Sequence, residues 1–154
     1  MSKLLLEKRV LWRIQEYHRD NQDKEVGGLL LGYRRDDAIH AVKATMPFRN
    51  DRRSATSFVR QSKMHQIVAL VSWVTSGFKI GWIGEWHSHP ERYPQPSGTD
   101  LNTWRNQVDL TGAEMAYVIL GTKAKWIGMH VRNNKEVMSF SLLEETDRTL
   151  LFGP

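Results

Sequence analysis

The sequence predicts an α/β (α+β) fold, a single domain with one mixed β-sheet flanked by helices. Short apolar runs of strand length alternate with segments of helical periodicity. Tight turns join some of the strand candidates and helices join others, which favours one mixed sheet over a purely parallel or purely antiparallel one. The 154 residues suffice for one hydrophobic core, so 1–154 is read as one domain.

In chain order, "EKRVLWRIQEYH" (7–18) places Val10, Leu11, Ile14 and Tyr17 at helical spacing, and "RDNQDK" ends that helix. "EVGGLLLGYR" (25–34) is a short apolar run expected to form a buried strand. "RDDA" is its turn, and "IHAVKAT" (39–45) alternates as the returning strand of a hairpin. A polar loop runs from Pro47 to about Thr56. From Ser62 to Ser76, Met64, Ile67, Val68, Val71 and Val74 share one helical face, and Gly77 is the terminator. "KIGWIGEW" (79–86) is a strand, and Ser97 or Thr99 caps a helix over "LNTWRNQV" (101–108). Three strands, "EMAYVILGT", "KWIGMHVR" and "EVMSFSLL", form a closing meander. The tail from about 143, "EETDRTLLFGP", is expected to be a docking segment or a frayed end.

Composition removes several function classes. With no cysteine, disulfides, thiol nucleophiles and thiolate zinc ribbons are excluded, and any metal site must be built from His and carboxylate. No apolar run reaches 18 residues, so no membrane span or secretory signal is expected, and a cytoplasmic location fits. The net charge of +5 is spread along the chain, densest between Arg49 and Lys63. That stretch is read first as a solvated loop, with contact to an acidic partner as its alternative. Dispersed charge makes nucleic acid an unlikely partner.

The chemistry concentrates in "GWIGEWHSHPERYPQPSGTD" (81–100). If the strand continues past Trp86, His87 and His89 project to the same side, because side chains on a strand repeat every two residues. Pro90 keeps the backbone out of a helix at that point. Asp100, in the first turn of the next helix, can add an oxygen from across the loop. Two His, one carboxylate and a water make the open tetrahedral site of a catalytic zinc. Such a site also needs a base that does not bind the metal, and Glu25, at the start of an apolar strand, suits that role. Ser97 could donate to a developing oxyanion, or could simply cap the helix. His18, His40, His65 and His130 are read as structural, as are Trp82, Trp86, Trp104 and Trp126. Gly27-Gly28 permits close approach of a neighbouring or substrate strand.

Glu25 in "EVGGLLLG", "HSHP" at 87–90 and "SGTD" at 97–100, with ten residues between His89 and Asp100, resemble the motif of the JAMM (MPN or JAB) zinc metalloproteases. The resemblance spans about residues 4–142. It implies a Zn2+ isopeptidase acting after the C-terminal glycine of a ubiquitin-like or otherwise conjugated protein. His87, His89 and Asp100 would hold zinc, Glu25 would activate water and Ser97 would support the oxyanion. "GEWHSHP" is most similar to short bacterial members, including those of CBASS antiphage operons, which implies a nucleotidyltransferase and its conjugating enzyme as partners. Only 14 residues separate Asp100 from Met115, so the insertion that some eukaryotic relatives use to hold the distal ubiquitin looks absent. Processing of a sulfur-carrier or other ubiquitin-like precursor uses the same chemistry and is the alternative substrate class. A non-catalytic scaffold and a basic metal-dependent nuclease are the competing functions.

Overall fold

A computed structural model describes residues 2–47, 52–53, 58–59, 64–134 and 136–154. Its elements in chain order are β1 (Lys3–Glu7), α1 (Lys8–Asp20), β2 (Gly27–Arg34), β3 (Ala38–Ala44), β4 (Arg52–Arg53), β5 (Phe58–Val59), α2 (Met64–Thr75), β6 (Gly81–Ser88), α3 (Gly98–Thr111), β7 (Met115–Leu120), β8 (Lys125–His130), β9 (Val137–Ser139), β10 (Ser141–Glu145) and β11 (Thr149–Gly153). Nine strands form one mixed sheet in the order β10-β11-β1-β3-β2-β6-β7-β8-β9, with β1–β3 and β6–β7 parallel. The expected fold class and the β2–β3 hairpin are therefore present.

β9 and β10 lie at opposite ends of that order, yet only Phe140 separates them. The sheet must therefore curl until its two edges meet there. Buried Phe140 packs inside with Leu4, Ile14, Trp86, Met129 and Phe152. The run expected as a single strand, "EVMSFSLL", is thus two strands on opposite edges.

The tail is corrected in the same way. Instead of fraying, it forms β10 and β11, and β11 pairs antiparallel with β1. Leu150 and Phe152 are buried while Thr149 and Leu151 are half-exposed, the period-two pattern of a strand that closes a core. β1 itself was not expected. Its alternation at Leu4 and Leu6 is only five residues long, and it passes into α1 with no turn residue to mark the junction.

The largest departure is α2. Most of the face expected to pack faces solvent: Ile67, Val71 and Val74 are each about half exposed, as is Leu70, while Val68 is half-buried. Met64, named with that face, has a side chain outside the described residues. The fully buried residues of the helix are polar. Buried His65 pairs through Nδ1 with Thr45 Oγ1 at 2.7 Å, and Lys43 Nζ donates to buried Ser72 Oγ at 3.2 Å. Periodicity reveals that a helix has two faces, but hydrogen-bonding needs on the neighbouring strand decide which one turns inward.

The basic stretch expected as a loop contains the short β4–β5 pair, with Arg52 opposite Val59 and Arg53 opposite Phe58. The side chains of Arg49 to Lys63 lie outside the described residues.

One close approach fixes the strands that carry the site. A Cβ on Gly28 would sit 2.1 Å from the backbone oxygen of Thr45, so the approach that this glycine permits is made by a neighbouring element of the chain. Thr45 uses that proximity: its Oγ1 accepts from Leu29 N, and its carbonyl accepts from Trp86 Nε1. Gly28→Ala is expected to lower stability by about 1–3 kcal/mol in denaturant unfolding, since backbone rather than a flexible side chain must give way.

Candidate active site

β6 delivers the histidines. A bulge where Leu30 opposes Gly84 and Leu31 opposes Trp82 leaves Ile83 unpaired, so Ile83 and Trp86 both reach the α1-side core despite their odd spacing. Beyond the bulge the alternation is regular. Trp86 faces that core and His87 faces the opposite side, where its ring lies 5.9 Å from Trp104. Trp104 is buried and stacks on Tyr117 at 4.0 Å, so His87 has a rigid backing. Trp126 is also buried in this cluster and Trp82 packs at its edge, in line with their structural reading.

The chain stays extended past Ser88, and His89 N donates to Leu120 O at the end of β7. His89 thereby continues the face of His87. Their Nε2 atoms are 3.1 Å apart.

Asp100 arrives from α3. Ser97 is its N-cap: Ser97 Oγ accepts from Asp100 N at 3.1 Å, and Asp100 Oδ2 accepts from Ser97 N at 2.8 Å, a reciprocal capping box. The box fixes the carboxylate so that Oδ1 lies 3.4 Å from His87 Nε2 and Oδ2 lies 3.2 Å from His89 Nε2. Ser97 Oγ is thus a cap, as one of its two readings holds. Its hydroxyl hydrogen is not used by the box.

Glu25 is brought beside this group by strand register. Gly27 opposes His87, Ser88 N donates to Val26 O, and Val26 N donates to Ser88 Oγ. One step further along, Glu25 stands across from His89 on the same face. Gly27, opposite His87, adds no side chain to that face.

The chain matches the prokaryotic homologues of the JAB domain over residues 7–140. It belongs to that family. A protein of Escherichia coli named CD-NTase/cGAS isopeptidase is 32% identical over 126 residues, covering 81% of this chain and 80% of that protein. Proteins of the same name from Pseudomonas aeruginosa (39% over 90 residues, covering 58% and 57%) and Vibrio cholerae (32% over 108 residues, covering 70% and 69%) are also similar. The solution structure of a Desulfitobacterium hafniense protein aligns with a TM-score of 0.62 at 19% identity, covering 87% of each chain, a likeness of fold.

Within this JAB domain the donor set fits a divalent metal. For zinc–ligand bonds of about 2.0–2.1 Å, the edges of a tetrahedron are about 3.3–3.4 Å. The two imidazole nitrogens, 3.1 Å apart, are close to one such edge; each faces a different oxygen of Asp100, and one ligand atom from each of the three residues lies within 4.8 Å of the others. Among the described residues, these three form the group able to hold an ion.

The charges are arranged to match. Burial opposes ionisation of Asp100, but hydrogen bonds from His87 and His89, and then Ser97 N–H, hold its carboxyl far below the usual range. Burial pushes Glu25 up, opposed by the two histidines. The hydrogen bond to Asp100 raises His89 against its own burial, helped by the charges of Asp100, Glu25 and Glu91.

A raised folded pKa means that the His89–Asp100 contact stabilises fully below the histidine's unfolded value near 6.5, and that this contribution is lost as pH rises through the folded value. Asp100, with a depressed pKa, keeps its contribution until strongly acidic pH. The metal-free protein is therefore expected to melt at falling temperature as pH increases above about 6.5. Its affinity for zinc should rise over the same interval, because metal binding requires neutral imidazoles. Melting curves and zinc titrations at matched pH check this opposition of slopes.

The sequence reading missed Glu91, exposed at the start of the site loop, whose Oε1 is 3.8 Å from His89 Nδ1. Strand period could not have found it, because the chain bends at Pro90 to Tyr93; only the nearness of an acidic residue to His89 in "HPE" hinted at it.

Proposed function

We propose that this chain is a zinc-dependent isopeptidase that hydrolyses the bond joining the C-terminal glycine of a ubiquitin-like or otherwise conjugated protein to an amine on its target. The observation that carries the reading is the convergence of ligand atoms from His87, His89 and Asp100 within 4.8 Å of one another, with Glu25 set by register beside them. The names of the relatives support a conjugated nucleotidyltransferase as the substrate, released from its attachment in antiphage defence.

His87, His89 and Asp100 would hold the ion. Zinc so held supplies Lewis acidity and lowers the pKa of a bound water toward neutrality. Glu25 accepts a proton from the attacking water, and the water oxygen becomes bonded to the glycine carbonyl carbon. The Ser97 hydroxyl donates its free hydrogen to the carbonyl oxygen as charge builds there, while its lone pair remains on Asp100 N–H. Glu25 then returns the proton to the leaving amine as the C–N bond breaks, and the acid proton of the new glycine terminus passes to the amine, giving a glycine carboxylate and an ammonium group. The substrate tail lies extended, with glycine at the narrow point beside Gly27.

No helix among the described residues is long and apolar enough to cross a membrane. We place the reaction in the cytoplasm.

The reading is tested with a conjugate whose C-terminal glycine is linked to a lysine side chain. Cleavage should produce the free glycine terminus, stop on chelation and return with zinc. A conjugate carrying valine in place of that glycine should be cut slowly. Cleavage indifferent to the chelator would remove the mechanism.

A further inference from the structure

His89 leaves one polar atom without a partner. Its Nε2 faces His87 and Asp100, whereas Nδ1 is buried and makes no hydrogen bond among the described residues. A buried ring N–H left without an acceptor costs about 1–3 kcal/mol, so an acceptor for it is expected nearby. Among the described residues, the acidic oxygen within 4 Å of it is Glu91 Oε1, at 3.8 Å.

The backbone holds the two residues in position for a closer contact. His89 N donates to Leu120 O and Thr122 N donates to Glu91 O, so both residues are tied to the end of β7 and the turn after it. Gly121 lies between those two anchors. A Cβ there would fall 2.7 Å from Glu91 O and 2.5 Å from Pro94 Cδ, so glycine lets the turn sit directly under the site loop. With both main chains tied down, the exposed Glu91 side chain is the part free to move, and a shift of about 1 Å at Oε1 would bring the 3.8 Å separation to hydrogen-bond length.

We propose that Glu91 is a positioning residue for His89, its carboxylate accepting from Nδ1–H so that the proton is held on Nδ1 and the Nε2 lone pair is presented to the metal. Metal-binding histidines characteristically donate their second ring N–H to a carboxylate or carbonyl, which fixes ring orientation and tautomer and raises the basicity of the ligating nitrogen. Glu91 itself stays outside the ligand set and touches no reacting atom. This inference rests on the zinc reading above.

The test compares zinc affinity of metal-free wild type, Glu91→Gln and Glu91→Ala by competition with a chromophoric chelator. Nitrogen-15 NMR of the His89 imidazole in the zinc-loaded protein gives a second readout. Glu91→Ala should weaken zinc binding by about 10–100-fold. Its metal-free melting temperature should fall modestly as Nδ1–H loses its acceptor, and Glu91→Gln should restore it. Glu91→Gln should retain most of the affinity, since its amide oxygen can still accept from Nδ1–H. The wild-type Nδ1–H resonance should shift toward the non-hydrogen-bonded position in Glu91→Ala. Equal affinity in wild type and Glu91→Ala overturns the inference and leaves the zinc reading intact, as does a loaded His89 protonated on Nε2. A wild type that binds no zinc overturns both.

Discussion

Glu25→Gln is expected to abolish measurable turnover of the conjugate while leaving zinc binding within a few-fold of wild type. The two side chains have nearly the same shape, so the substitution removes a proton acceptor and little else. General-base catalysis contributes about 10²–10⁴-fold, and a residue that both takes a proton from water and returns it to the leaving amine should stand at the upper end of that range. Stability should move the other way. Burial raises the pKa of Glu25, so its ionised form is disfavoured in the folded state. At neutral pH a neutral Gln relieves that penalty, and the metal-free variant should melt no lower than wild type. Turnover, chelator competition and a melting curve on the same preparation separate the three effects. A variant that keeps full turnover would remove Glu25 from the chemistry.

That residue also shows how far the sequence can be read. A Glu before an apolar run is unremarkable until it is placed opposite His89, and the β2–β6 register that does so depends on a long-range pairing. The recurring motif supplied the association; local pattern did not. His87 and His89 were legible from strand period alone, because one short stretch carries both. Asp100 needed the capping box, which sets the angle of the carboxylate and is announced by Ser-x-x-Asp.

The failures have physical causes of the same kind. α2 carries a real helical period, but which face is buried depends on Thr45 and Lys43 offering polar groups to His65 and Ser72. The tail was misread because Leu150 and Phe152 are buried by β1, an element more than 140 residues away in sequence. Short edge elements such as β1 lack turn signals, and their stability comes from partners that a local window cannot contain.

Asp100→Ala is expected to eliminate cleavage at stoichiometric zinc, and the reason lies in the two tasks that its side chain performs. Zinc sites bind with about 10–16 kcal/mol in all, or roughly 2.5–4 kcal/mol per ligand over four, so loss of one should weaken zinc by about 10²–10³-fold. The same substitution removes the acceptor for Ser97 N–H, loosening the first turn of α3. Asp100→Asn separates these tasks. Its amide oxygen can still accept from Ser97 N–H, so the helix cap should persist, but a neutral ligand should bind zinc poorly and turnover should remain lost. Ser97→Ala gives the complementary result: the cap bond costs about 0.5–2 kcal/mol of stability while the zinc ligands remain. If Ser97 also stabilises the oxyanion, kcat should fall by about 10²-fold or more with zinc affinity nearly unchanged. Ser97→Asp decides between the two roles of that hydroxyl, because a carboxylate caps a helix as well as serine does but has no hydrogen to donate. Restored stability with kcat still low assigns Ser97 to the reaction, whereas restored stability with wild-type kcat confines it to holding Asp100 in place.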